Sequence, residues 1–194
     1  MSEDITDDNR AVARTLARTF GGAPVIRRHR DETGRSHVDL LTCRDAPAAG
    51  VTSYATVTLA NHPIILDGAE FPARAELVGA CASETERFAH VLAACAFHVI
   101  DSGWFLAPGI VFPGVVAASG LSRTLAHVMF VLPALWPTPI DTMEFGPRSV
   151  AFLMAVPISA GEYAFAQDKG GDALEELLAA HRSDPFDIHR PSVV

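Results

Sequence analysis

The side chains equipped for chemistry in this 194-residue chain are eight histidines, three cysteines and a scatter of carboxylates and arginines. A metal site would take its donors at short, fixed spacings. No HExxH, HxH or CxxC pattern occurs, so neither metal nor cofactor is expected. Cys43, Cys81 and Cys95 lie far apart in apolar surroundings and read as reduced, buried thiols. A nucleophile needs a positioned base. Ser119-Gly120 lacks the preceding glycine of a nucleophile elbow. Distant strands could bring His62 and His127 together as the nearest approach to a metal site, and His62 or His127 is the base a hydrolase would use. Glu175/Glu176 and Asp184/Asp187 fit solvated or salt-bridged roles better than acid–base work. Gly170-Gly171 precedes Asp172, whose charge would repel a phosphate from that helix start. Arg190 is the most informative single charge. Its guanidinium can pair bidentately with Asp184, Asp187 or Glu162 and pin the chain's last residues, or else anchor an anion or a partner. These residues present no obvious reaction centre.

The elements that would position them follow from periodicity and caps. Asp7-Asp8 are expected to cap a helix through Phe20, with Val12, Leu16 and Phe20 on one face and Arg10, Arg14 and Arg18 on a solvated one. Segments 25–29 and 37–42 flank a turn at Gly34 and form a hairpin. Arg27, Arg28, His29, Arg30 and Arg35 make the one dense basic cluster. It reads as an exposed edge kept soluble by charge, with partner contact as the alternative. Residues 51–59 are β-branched and form a strand. Residues 73–78 alternate Arg74 and Glu76 with Ala75 and Leu77, which predicts a half-exposed strand. A long helix spans 83–101, opened by a Ser83/Glu86 capping box. Short strands at 110–112 and 127–132 follow. Residues 150–156 form a strand covered on both faces. Ser159/Glu162 and Asp172/Glu175 cap two final helices, with Leu174, Leu177 and Leu178 on the buried side. The expected fold is α+β and sandwich-like: a single mixed or mostly antiparallel sheet with helices packed on it, in one domain over residues 1–194.

The formal net charge of −8 argues against binding nucleic acid or an anionic membrane, and it suits a basic partner. The acidic start, MSEDITDDNR, has no apolar core, so a cytoplasmic protein is expected. Asp67, Glu70, Glu76 and Glu84 are the acidic candidates for a binding surface near an exposed sheet edge.

Three segments together resemble the C-terminal half of bacterial suppressor-of-fused-domain proteins. They are VLPALWP at 131–137, VAFLMAVPISAGEYAFAQDKGGDALEELL at 150–178 and DPFDIHRPSVV at 184–194. The shared pattern is LP-x-x-W, then a strand into PIS-x-x-E, then a Gly-Asp-Ala-Leu helix start, then Asp-x-x-Arg-x-Ser-Val. VTSYATVTLANHP at 51–63 is similar to the family's strand ending in Gly-x-Ser, from which Leu59-Ala60-Asn61 departs, and AELVGAC at 75–81 also matches. The resemblance is strongest over 50–194. It implies a protein-binding domain without catalytic residues. Animal relatives restrain a transcription factor, and bacterial members are associated with toxin–immunity loci. It carries Trp136, Pro157, Glu162, Asp184, Asp187 and Arg190 as fold-defining positions. The leading expectation is an immunity protein or antitoxin that occludes a basic, nuclease-like toxin. A regulatory scaffold that binds a peptide by strand addition comes second, and a hydrolase third.

Overall fold

The computed structural model describes residues 5–85 and 87–194. Residues 1–4, part of the acidic start, and Glu86, half of the first expected capping box, lie outside the described residues. The chain runs α1 (Asp7–Phe20), β1 (Val25–Arg30), β2 (His37–Arg44), β3 (Val51–Thr56) and a 3-10 turn at Leu59–Asn61. Next come β4 (Ile65–Leu66), β5 (Ala69–Glu70), β6 (Ala73–Ala82), α2 (Phe88–Ser102), β7 (Val111–Phe112) and α3 (Val115–Ser119). It ends with β8 (Leu125–Val131), β9 (Met143–Phe145), β10 (Arg148–Ser159), α4 (Ala160–Lys169) and α5 (Gly171–Ala180).

The main sheet has eight strands in the order β1-β2-β3-β6-β10-β8-β7, with β9 also paired to β10. Only β6 and β10 run parallel, in the register Ser149↔Ala73 to Met154↔Val78, and the other pairs are antiparallel. Strand alternation sends successive side chains to opposite faces. Leu40, Tyr54, Leu77, Phe130 and Ala155 therefore meet α2 and α3 on one side. Leu41, Ala55, Val78, Met129 and Met154 meet the buried faces of α1, α4 and α5 on the other. The expected α+β sandwich, one mostly antiparallel sheet with helices packed on it, is what the chain forms.

Local signals hold where the cap or turn chemistry is unambiguous. Gly34 takes φ 70 in the β1–β2 turn. Ser159 and Glu162 form a complete capping box on α4. On α1 the cap is Thr6, boxed with Asn9, and Asp7 and Asp8 occupy the first turn instead. Three expectations are corrected. Helix α2 starts at Phe88 rather than at Ser83, because Ser83 is still tied to the sheet by donating its amide to Gly50 O at 2.8 Å. Helix α5 has no side-chain cap, since Gly170 (φ 94) occupies the cap position and Asp172 lies inside the first turn. Strand β6 is central and buried on both faces from Arg74 to Cys81, not half-exposed. Its Gly79 leaves the space into which Phe88 of α2 packs.

Candidate functional site

The end of β10, the start of α4 and the last residues of the chain meet in one buried polar cluster. Arg190 donates from Nη1 to Glu162 Oε1 at 2.6 Å and from Nη2 to Oε2 at 3.0 Å, a bidentate pair. It also donates to the carbonyls of Pro157 (3.0 Å) and Pro191 (3.1 Å). Glu162 accepts further bonds from the amides of Ser159 (2.8 Å) and Val193 (3.0 Å). Glu162 is 0% and Arg190 4% exposed. Burial alone would raise the Glu162 carboxyl. Arg190 and the two amides outweigh it and hold the group below the usual carboxylate range. Of the three carboxylates open to Arg190 from the sequence, Glu162 is the one it meets. Asp184 and Asp187 stay exposed and accept from the amides of Phe186 (2.9 Å) and His189 (2.7 Å). Trp136 stacks on Phe20 of α1 with centroids 4.9 Å apart, and its Nε1 donates to Ser53 Oγ on β3 at 2.9 Å.

The four acidic candidates do not form one surface. Glu76 is fully buried on central β6 and accepts from the amides of Leu59 (3.2 Å) and Ala60 (3.1 Å), so its place on an exposed edge is corrected. The misreading arises because alternation with Arg74 mimics a solvated face, whereas Glu76 caps a turn and Arg74 pairs with Glu70 at 2.6 Å. Burial pushes the Glu76 carboxyl up to about 7, against the pull of Thr56 and the two amides. Asp67 and Glu70 are exposed on the β4–β5 hairpin, just before β6 begins. Glu84 is exposed in the turn after β6 ends, which puts it about 30 Å away along a ten-residue strand.

The groups considered for catalysis are engaged singly. His127 accepts from the Gly114 amide at 2.9 Å and packs against Tyr163. His62 follows the 3-10 turn at the far side of β3. All three cysteines are buried, and burial raises their thiols, Cys95 most. Among the described residues no group of three or more His, Cys, Asp or Glu could hold a metal, and no helix is long and apolar enough to cross a membrane.

One open sheet edge and one groove adjoin each other. Strand β1 is the outer strand beyond β2, and five of its six residues are exposed, including Val25 and Ile26 at 50% and 51%. Between its Val25-Arg27-His29 face and the start of α2 runs a groove of about 680 Å³, with Tyr54 among the lining residues. The His29 and His90 rings meet edge to face across it at 5.7 Å.

Comparison with known proteins gives a consistent result. The model of the family described as Suppressor of fused protein (SUFU) matches residues 34–191. A protein named Immunity protein YqcF, from Bacillus subtilis (strain 168), is 39% identical over 190 residues, covering 98% of this chain and 99% of its own. A solved SUFU homologue from Neisseria gonorrhoeae superposes with a TM-score of 0.70 at 17% identity, covering 97% of each chain. A chain in a Sufu–Fu complex structure superposes with a TM-score of 0.67 at 13% identity, covering 96% of this chain and 92% of its own. At these two identities the likeness is one of fold.

Proposed function

Since this chain belongs to the suppressor of fused family, we propose that it is a non-catalytic immunity protein that neutralises a cognate toxin by direct binding. The observation that carries the reading is the 39% identity to Immunity protein YqcF along essentially the whole of both chains. The partner we propose is a basic, nuclease-like toxin in the cytoplasm. The net charge of −8 supports that choice, because opposite charge speeds encounter with a nucleic-acid-binding surface. Asp67 and Glu70 at one end of β6, and Glu84 at the other, are the proposed acidic contacts. Trp136, Pro157, Glu162, Asp184, Asp187 and Arg190 are proposed as framework, because their polar groups are directed at the chain itself. A second reading, capture of a peptide by strand addition, is favoured by the open edge of β1.

The test is co-expression with the product of the neighbouring gene. We expect the two proteins to co-elute and the toxin's growth defect to disappear. Separate elution with undiminished toxicity would end the immunity reading.

A further inference from the structure

The groove beside β1 is basic in a molecule that is acidic as a whole. Its walls carry Arg27 from β1, Arg44 from β2 and Arg87 just before α2, with the rings of His29 and His90, against the single carboxylate of Asp45; burial holds His29 below its ordinary value, so the arginines supply the charge. Charge on β1 alone would be explained as protection of an exposed edge, since a charged edge resists pairing with other chains. That explanation does not cover His90 of α2 or Arg87 just before it, which line the same space, Arg87 while also donating from Nη2 to the Ser119 carbonyl. The edge itself is not blunted by other means. It is six residues long, contains no proline, lies in unbroken register with β2, and exposes Val25 and Ile26.

We propose that β1 and this groove together dock an acidic, extended segment of a protein partner. The segment pairs with the free edge of β1, about 4.8 Å from it. Its alternate side chains then fall beside Arg27 and His29, on the side that faces Arg87 and His90. Backbone pairing supplies sequence-independent affinity, and the guanidinium groups select carboxylates at every second position. A nucleic acid has no backbone to pair with β1 and meets the net negative field of the whole chain, so it is the disfavoured polyanion. The proposal deepens the strand-addition reading and does not require the partner to be a toxin.

The probe is a fluorescein-labelled oligoglutamate peptide, followed by fluorescence anisotropy at low salt. We expect binding, with Kd raised at least about tenfold in R27E/R87E. Binding should be retained in R14E/R18E, which makes the same change in net charge on the exposed face of α1. Hydrogen exchange should slow at residues 25–30 on peptide addition and stay unchanged in α1. If R27E/R87E does not fold, R27E alone carries the comparison, because Arg27 is exposed on the edge strand. Absence of peptide binding to the natural protein, equal weakening in both double variants, unprotected β1 amides, or stronger binding of single-stranded DNA or phosphatidylserine vesicles would each overturn the proposal. None of these outcomes involves the toxin, so failure here leaves the immunity reading intact, and failed co-elution leaves this one intact.

Discussion

At the scale of single residues, two buried carboxylates behave in opposite ways. Glu162 is ionised against Arg190. Truncating one partner of a buried ion pair strands the other, at a cost of about 3–5 kcal/mol. We therefore expect Arg190→Ala to lower the urea unfolding free energy by about that amount while the folded fraction keeps its partner affinity; full stability with lost affinity would reassign Arg190 to the interface. Because the folded Glu162 carboxyl titrates below its ordinary 4.5, its stabilisation is present above that pH and is lost as pH falls through the lowered value. Glu76 has the reverse sign. Its folded carboxyl sits near 7, so the folded state holds a proton that the unfolded state has released. Stability should fall as pH rises from about 4.5 to about 7 and then level off. Unfolding curves across that window should show the slope in the natural protein and a flatter profile in Glu76→Gln. The Arg190 clamp was within reach of the sequence, because a capping-box Glu and a terminal Arg are both visible there. Glu76 was not, because a strand's alternation does not say which strands flank it, and two flanking strands turn a polar face into an interior one.

Among the elements, packing rather than propensity explains what the sequence left unread. The apolar strand β10, the hairpin and the Ser159 box were legible because each signal is local. The start of α2 was not, since the amide of Ser83 is taken by the sheet. Family order and spacing were legible over residues 50–194, and the family match extends this back to residue 34, into the basic hairpin. Helix α2 lies on β6 at Gly79, where an added Cβ would stand 2.8 Å from the Phe88 ring. The aromatic ring is enclosed, at 0% exposure, and has little room to yield. Gly79→Ala should therefore cost about 1–3 kcal/mol through overpacking, measurable by thermal melting; an unchanged melting temperature would mean that α2 can slide on the sheet.

For the molecule as a whole, charge is unevenly placed: a net of −8, with one dense basic cluster at the β1 edge. Association with the proposed basic toxin should be steered from a distance, so stopped-flow association rates should drop at least about tenfold as salt rises from low to high, with dissociation little changed. A salt-independent association rate would remove electrostatics from the encounter. The strand order has a consequence in time. The meander β1-β2-β3-β6 is made of near neighbours in sequence, and its pairings close short loops. Strand β10, which lies between β6 and β8, is synthesised after both. As the chain leaves the ribosome, β6 and β8 each wait with an unpaired edge until β10 arrives to join them. The nascent protein is thus most prone to mispairing late in its synthesis, and insertion of β10 completes the sheet and closes that interval.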